Sequence, residues 1–138
     1  MTNVPGVDLR EMYRRWIEMW NGQVDLADEL MAPDCPIHQP PNDFRGAAGL
    51  RQMVEMGRAP FEDPVFSIEV DPIVEGDRLA ARWVMTGRYR GGLPGTTAGP
   101  GTEITFGGID IWRVEDGKIV EYWVSSDGLH MMAQLNPS

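Results

Sequence analysis

The sequence has little cysteine, few basic residues and no long apolar run. Cys35 is the single cysteine among 138 residues, so no disulfide can form within the chain, and no Cys/His cluster has zinc-ligand spacing. Twelve basic residues stand against 21 acidic ones, a net charge of −9. Nucleic-acid binding requires a basic patch, so we expect no nucleic-acid partner.

The apolar runs are far shorter than the ~20 residues that a membrane-spanning helix requires, so we expect no membrane association. The N-terminal residues MTNVPGVDLREMYRRW lack the basic and then apolar order of a secretory signal. A single cysteine agrees with a reducing compartment. These features predict a soluble, cytoplasmic protein.

The composition predicts one compact domain. Hydrophobic residues make up 42% of the chain, and five of its aromatic residues are tryptophan. This content suffices for one hydrophobic core at this length. We therefore expect a single domain over residues 1–138.

The first half of the chain has the periodicity of helices. Apolar residues recur at three- and four-residue steps over residues 8–21, with Asp8 as the N-cap and Gly22 after the end. Shorter patterns predict helices over residues 24–31 and 47–56.

After Pro64 the pattern changes to the two-residue period of strands, which we expect over residues 65–74, 78–90, 103–114 and 118–126. The Pro/Gly-rich residues 91–102 form a loop, and a short helix over residues 129–135 closes the chain. Helices followed by antiparallel strands predict an α+β domain with three N-terminal helices on one face of the sheet. A strongly curved sheet of this kind forms a cone with an open mouth for a ligand.

Asp110 interrupts the apolar pattern of the third predicted strand. Alternation places it on one face with Phe106, Gly108 and Trp112. Burying a carboxylate costs several kcal/mol unless it is paired or neutralised, and burial raises its pKa. Asp110 is therefore either a general acid or base, or a cross-strand partner of Arg82 or Arg88.

Four stretches together are typical of one protein family. They are WNGQVDLADELMAPDCPIHQPP, RGAAGLRQMV, GDRLAARWVMTGRYRG and DIWRVEDGKIVEYWVSSDGLHMMAQL. With them the chain resembles the SnoaL-like polyketide cyclases of the nuclear-transport-factor-two-like superfamily over nearly its whole length. The resemblance implies the cone-shaped α+β fold also found in ketosteroid isomerase and limonene epoxide hydrolase, and a homodimer. It also implies aldol cyclisation of polyketide precursors with no metal and no organic cofactor.

The resemblance marks four positions where family members carry catalytic or pocket side chains. The acid/base aspartate matches Val124, the pocket histidine matches Asp110, the glutamine matches Gly108 and the asparagine matches Ile37. Because all four have changed, the family's aldol machinery does not carry over to this chain.

Limonene epoxide hydrolase offers no better match. Its Arg-x-Asp pair corresponds to Arg82 and Val84, and its last aspartate also corresponds to Val124. If the chain is an enzyme, it uses a different set of groups within the same cone.

Three further polar residues are candidates for the site. The resemblance places His38 at the entrance of the cone, where it either shuttles protons and orients Asp110 or simply bonds to backbone. Tyr122 is expected to face inward, and its phenol either contacts a substrate carbonyl or fills space. Asp127 is expected on the opposite face, where an N-cap of the last helix ranks above catalysis.

The remaining candidates are large apolar side chains that form the core and line any pocket within it. The expected substrate-binding residues are Trp16, Met53, Met56, Phe61, Trp83, Phe106, Trp112 and Val124.

The Ile109 and Ile111 side chains are opposite in phase to Asp110. We expect them on the outer face of the sheet, where the resemblance implies dimer contacts.

Two functions fit these observations. The first is a cofactor-independent enzyme that cyclises, isomerises or hydrolyses a small apolar carbonyl, enol or epoxide compound, with Asp110, His38 and Tyr122 as catalytic groups. The alternative is a non-catalytic small-molecule-binding or dimerisation domain of the same fold. An open cavity that holds both Asp110 and His38 favours catalysis, and a filled one favours a structural role.

Overall fold

The computed structural model describes residues 8–137. Residues 1–7 and residue 138, which belong to the predicted domain and include the start of the N-terminal stretch considered above, lie outside the described part. The helices are α1 (Leu9–Trp20), α2 (Leu26–Leu30), α3 (Gly46–Arg58) and α4 (Gly128–Leu135). The strands are β1 (Pro36–Gln39), β2 (Asn42–Arg45), β3 (Phe61–Glu75), β4 (Arg78–Tyr89), β5 (Glu103–Glu115) and β6 (Lys118–Ser126).

Helix α1 forms as its sequence predicts. The Asp8 carboxylate accepts hydrogen bonds from the backbone N–H groups of Arg10 at 2.9 Å and Glu11 at 3.4 Å, which caps the helix. Its buried face includes Tyr13 and Trp16, three residues apart and therefore adjacent on one side of the helix. This face points two aromatic side chains with polar tips at the sheet.

Helix α3 begins at Gly46 for a steric reason. Gly46 has a φ of +68°, and a Cβ atom at this position would collide with the carbonyl oxygen of Pro33. Only glycine meets both conditions without strain. The predicted helices are all present, although α2 is shorter than residues 24–31.

The sheet is mixed, which corrects the prediction of a purely antiparallel one. Its strand order is β2-β1-β6-β5-β4-β3, and β1 runs parallel to β6, with Ile37 opposite Tyr122. The other pairs are antiparallel. The sequence reading missed β1 and β2 because four-residue strands in a proline-rich stretch are too short to show alternation.

The α+β class is confirmed, with an open sheet. The buried faces of α1, α2 and α3 form one hydrophobic cluster with inward side chains of β4, β5 and β6. A second cluster joins β3, β4 and β5 to Leu135 of α4. The curved sheet and the helices therefore enclose the space that becomes the site.

Strand β5 alternates as predicted. Asp110 and Trp112 are buried, whereas Ile109 and Ile111 are 45% and 41% exposed. The carboxylate of Asp110 thus points towards the helices, and the two isoleucines lie on the outer face of the sheet.

Candidate active site

Asp110 is the buried charged residue at the centre of the site. Its side chain is 1% exposed. It lies on β5 opposite Ala81 of β4 and Val124 of β6, so the strands beside it supply no countercharge at this level. The carboxylate must therefore be satisfied by neutral donors.

Three neutral donors surround the carboxylate. Tyr13 donates its hydroxyl hydrogen to Oδ2 at 2.7 Å, and Trp16 donates its indole N–H to the same oxygen at 3.2 Å. Tyr122 donates its hydroxyl hydrogen to Oδ1 at 2.7 Å. Helix α1 and strand β6 thus hold Asp110 from two sides.

Burial and hydrogen bonding act on the pKa of Asp110 in opposite directions. Burial raises the pKa, and the hydrogen bonds from Tyr122, Tyr13 and Trp16 lower it. Burial outweighs the hydrogen bonds, and the pKa of Asp110 rises from 3.8 to about 6. The group can therefore hold or release a proton near neutral pH.

The pKa values of the two tyrosines are raised as well. Burial, and next the negative charge of Asp110, raise the pKa of both Tyr13 and Tyr122 above that of an ordinary phenol. Both phenols therefore stay protonated at neutral pH, and they act as hydrogen-bond donors to the carboxylate.

A cavity of about 530 Å³ opens beside this network. Its volume is within the ~300–1,000 Å³ range of small-molecule sites. Seven of its lining residues are aromatic: Trp16, Trp20, Phe44, Phe66, Trp83, Phe106 and Tyr122. Its other lining residues are Ile17, Gln39, Pro40, Pro41, Asn42, Met53, Met56, Gly57, Val124, Ser126, Gly128 and Met131.

Asp110 lies behind the cavity wall, not on it, which corrects its expected place on the pocket lining. Trp16 and Tyr122 line the cavity and also donate hydrogen bonds to Asp110. Large aromatic side chains reach beyond a short carboxylate, so they separate it from the cavity. Trp16 and Tyr122 therefore link the buried carboxylate to the cavity, and Tyr122 does so through a hydroxyl group.

Gly108 makes room for one wall of the cavity. A Cβ atom there would lie 2.7 Å from Cε2 of the Trp83 indole. The glycine thus allows this indole to pack directly against β5.

Comparison with known proteins decides the family. The model of the family described as SnoaL-like polyketide cyclase matches residues 10–135. This chain belongs to that family. No curated protein matches the sequence significantly.

Solved structures of other proteins share the fold of this SnoaL-like protein. TsrD from Streptomyces laurentii is 26% identical with a TM-score of 0.81, over 96% of this chain and 98% of TsrD. IdmH from Streptomyces antibioticus, provisionally described as a polyketide cyclase, is 29% identical with a TM-score of 0.78, over 91% of this chain and 96% of IdmH. A protein from Bacillus cereus with the same provisional description is 28% identical with a TM-score of 0.75, over 90% and 77% of the two chains.

His38 of this SnoaL-like protein lies away from Asp110, contrary to the expectation that it orients this carboxylate. Its Nε2 atom lies 2.9 Å from Oε2 of Glu121, and its ring stacks on Trp123 with centroids 5.3 Å apart. It is absent from the cavity lining. The neighbouring Ile37 is buried, so alternation along β1 places His38 on the outer face.

The alternative of an arginine partner for Asp110 is not observed. Arg82 pairs with Glu69 at 2.5 Å, and Arg88 pairs with Asp63 at 3.4 Å. Both arginines are thus engaged with β3 and not with the buried carboxylate.

The expected wall residues divide into two groups. Trp16, Met53, Met56, Trp83, Phe106 and Val124 line the cavity of this family member. Phe61 and Trp112 do not; both are buried elsewhere in the hydrophobic core. Asp127 stands at the N-cap position of α4, but its side chain makes no capping hydrogen bond.

Several residues of the site escaped the sequence reading. Tyr13 is not among the predicted site residues, although its spacing from Trp16 places the phenol and the indole on one side of α1. Ser126 was in phase with Tyr122 and Val124 on β6, which was an available signal. Gln39 and Asn42 had no such signal, because their strands were not predicted.

Two general findings complete the description of this SnoaL-like protein. Within residues 8–137, no cluster of three or more His, Cys, Asp or Glu side chains is arranged to hold a metal ion. No helix in the same part of the chain is long and apolar enough to cross a membrane.

Proposed function

We propose that this SnoaL-like protein is a cofactor-independent acid/base enzyme of the cyclase or isomerase type. Its substrate is a small, mostly apolar carbonyl, enol or epoxide compound bound in the aromatic cavity. The observation that carries the proposal is the position of Tyr122, which lines the cavity and donates a 2.7 Å hydrogen bond to the buried Asp110.

The proposed chemistry passes a proton through Tyr122. The substrate C–H or O–H bond breaks, its electron pair stays on the substrate, and the proton moves to the Tyr122 oxygen. At the same time the hydroxyl proton of Tyr122 moves to Oδ1 of Asp110. The reverse transfer returns a proton to the product, so no proton is gained or lost over the cycle.

The electrostatics of the network suit this relay. The pKa of Asp110, about 6, allows the carboxylate to accept a proton at neutral pH and to return it. The raised pKa of Tyr122 argues against a free tyrosinate, so the two transfers are coupled. Tyr13 and Trp16 hold Oδ2 in place and are positioning residues.

Proton exchange on a neutral ketone tests the proposal without knowledge of the physiological substrate. The probe is 2-tetralone, whose α-protons exchange with D₂O and are followed by ¹H NMR. We expect the wild-type protein to accelerate exchange. We expect both Tyr122→Phe and Asp110→Asn to lower the catalysed rate by ~100-fold or more, the usual scale of acid/base catalysis.

Tyr89→Phe is the matched control for Tyr122→Phe. Tyr89 is also a buried tyrosine with a bonded hydroxyl, which lies 2.7 Å from Oγ1 of Thr96, but it does not line the cavity. This variant should exchange the probe at the wild-type rate. Equal rates in Tyr122→Phe and in the wild type would refute the relay.

The position of Asp110 behind the wall also favours a second function, a non-catalytic binding domain. In that case Tyr122 only completes the cavity wall, and Asp110 only holds Tyr122 in place from behind. The same probe decides between the two, because a binding domain takes up 2-tetralone without accelerating exchange. Quenching of tryptophan fluorescence reports the uptake, since three tryptophans line the cavity.

We also propose a homodimer through the outer face of the sheet. Ile109 and Ile111 are exposed there on β5, and Trp123 lies opposite Ile111 on β6. Adjacent exposed apolar side chains are typical of contact surfaces between protein chains. Light scattering after gel filtration should give twice the chain mass for the wild type and the chain mass for Ile111→Lys.

A further inference from the structure

We infer that ligand binding is coupled to proton uptake: a ligand that accepts a hydrogen bond from Tyr122 draws a proton from solvent onto Asp110. This coupling rests on the proposed function only for the use of the cavity as the ligand site. It concerns the proton that is taken up on binding and not the relay that follows. A ligand with no acidic hydrogen can therefore test it.

Tyr122 has one hydrogen to donate, and Asp110 already receives it. Tyr122 lines the cavity, and its hydroxyl donates to Oδ1 of Asp110 at 2.7 Å. An ionised carboxylate only accepts hydrogen bonds, so it cannot donate in return. While Asp110 is ionised, the Tyr122 oxygen can accept a hydrogen bond from a ligand but cannot offer one.

Trp16, the second side chain between the carboxylate and the cavity, is committed in the same way. An indole has a single donor, its N–H group. Trp16 gives this hydrogen to Oδ2 of Asp110 at 3.2 Å, although its ring lines the cavity. Both side chains that link Asp110 to the cavity thus spend their polar hydrogens on the carboxylate.

A proton on Oδ1 reverses the hydrogen bond to Tyr122. Oδ1 has Tyr122 as its donor, whereas Oδ2 accepts from both Tyr13 and Trp16. Oδ1 can therefore carry a hydrogen at the loss of fewer donors. Solvent supplies the proton, an O–H bond forms at Oδ1, and this hydrogen donates to the Tyr122 oxygen. Tyr122 then turns its own hydrogen to the acceptor oxygen of the ligand, so each group keeps a partner.

The displacement of water acts in the same direction. A cavity of about 530 Å³ with the polar side chains of Gln39, Asn42 and Ser126 on its wall holds water until a ligand enters. This water lies one layer of side chains from Asp110 and screens its charge. A ligand of low polarity removes the screening, so the pKa of Asp110, which burial has raised to about 6, rises further.

The titratable neighbours of Asp110 already hold their protons. Burial raises the pKa of Tyr13 on α1 and of Tyr122 on β6 above that of an ordinary phenol. Cys35 lies close enough to act on Tyr122, and burial raises the pKa of its thiol to about 12. The residues opposite Asp110 on β4 and β6 are apolar. The proton taken up near neutral pH is therefore assigned to Asp110.

The coupling makes the loaded site sensitive to acid. A protonated Asp110 cannot accept the proton that the proposed relay delivers, so a bound ketone waits until the carboxylate ionises again. The pH profile of 2-tetralone exchange should therefore have its midpoint ~1 pH unit higher at saturating ketone than at low ketone.

Isochroman is the probe for the coupling itself. It is a bicyclic ether of the same ring size as 2-tetralone, with an acceptor oxygen, no donor and no ionisable group. Calorimetric titration at pH 6.5 in phosphate and in imidazole counts the protons taken up, because the two buffers release a proton with different enthalpies. We expect uptake of ~0.5 proton per isochroman, the value for a pKa of Asp110 that rises by ~1 from about 6. The dissociation constant should be ~7-fold higher at pH 8 than at pH 5.5.

Two variants test the assignment of the proton. Asp110→Asn cannot ionise, so we expect it to bind isochroman without proton uptake and equally well at both pH values. His130→Gln is the control, because histidine also changes its charge near neutral pH. His130 is exposed on α4 beside the cavity-lining Met131 and lies outside the lining. We expect this variant to take up as much proton as the wild type.

Each outcome decides the question. Uptake that persists in His130→Gln and is lost in Asp110→Asn supports the coupling. The coupling is overturned if isochroman fails to bind, if the wild type takes up less than ~0.2 proton, or if Asp110→Asn takes up as much as the wild type. If Asp110→Asn does not fold, equal uptake by the wild type and His130→Gln supports the coupling, and its loss in His130→Gln overturns it. Isochroman has no proton next to a carbonyl, so exchange on 2-tetralone can succeed or fail independently.

Discussion

The difference in the free energy of unfolding between Asp110→Asn and the wild type should change in favour of the variant as the pH rises. Asparagine keeps the shape of the side chain and an acceptor oxygen for one of the two phenols, but it cannot ionise. In the folded wild type the pKa of Asp110 is raised, by burial first, from 3.8 to about 6. Ionisation is therefore easier in the unfolded chain than in the folded one, so it favours unfolding.

The sign and size of the effect follow from this pKa difference. Between the two pKa values the folded state binds more protons than the unfolded state, so the free energy of unfolding falls as the pH rises. The contribution of Asp110 is complete below pH 3.8 and is lost as the pH passes about 6. At 1.36 kcal/mol per pKa unit, the total loss is about 3 kcal/mol.

Urea unfolding of both proteins at pH 5 and at pH 8 measures the part of this stability change that falls between the two pH values. This window avoids the isoelectric point near 4.6, where solubility is lowest. Within it, linkage predicts that the free energy of unfolding of Asp110→Asn rises by about 1.4 kcal/mol relative to the wild type. The subtraction removes the pH dependence of the other groups, which the two proteins share.

One result would refute this reasoning. A difference between the two proteins that does not change from pH 5 to pH 8 would mean that the pKa of Asp110 in the folded state is not raised above its value in the unfolded state. Hydrogen bonding would then balance or outweigh burial.

Three other changes test separate parts of the structure. Gly108→Ala should cost about 1–3 kcal/mol in the free energy of unfolding by urea, because the new Cβ atom would collide with the Trp83 indole; an unchanged midpoint would contradict that packing. Cys35 is 1% exposed, and burial is the main cause that raises the pKa of its thiol to about 12. A thiol reagent should therefore modify Cys35 in urea and not in the native protein at pH 8. Rapid labelling of the native protein would contradict the burial of Cys35. His38→Gln should leave 2-tetralone exchange unchanged, because His38 pairs with Glu121 away from the cavity; a large loss of rate would return His38 to the site.

The local pattern of the chain predicted most of the architecture. The three- and four-residue spacing of α1 and the alternation of β5 each place side chains on a face without knowledge of the rest of the fold. The side chain of Asp110 is buried and those of Ile109 and Ile111 are exposed, as alternation requires. The strands β1 and β2 were missed because each has only four residues, in a stretch interrupted by prolines, and so shows no detectable periodicity.

The burial of Asp110 agrees with the alternation of its strand, whereas its surroundings differ from those that the sequence predicts. Alternation identified the buried face of Asp110, but it did not show that Trp16 and Tyr122 would separate this carboxylate from the cavity. It also gave no means to exclude His38, since the strand that turns His38 outward had not been predicted.

The amino-acid sequence by itself determined the family, the α+β class and the burial of Asp110, because these depend on short-range periodicity and on recognisable stretches of chain. Tertiary structure alone decided which neighbours satisfy the carboxylate. Tyr13 is 97 residues from Asp110 along the chain, and the two meet at 2.7 Å because α1 packs across the sheet. The distance from an acid to its donors, and hence its pKa, depends on how helix and sheet pack together, which no local pattern contains.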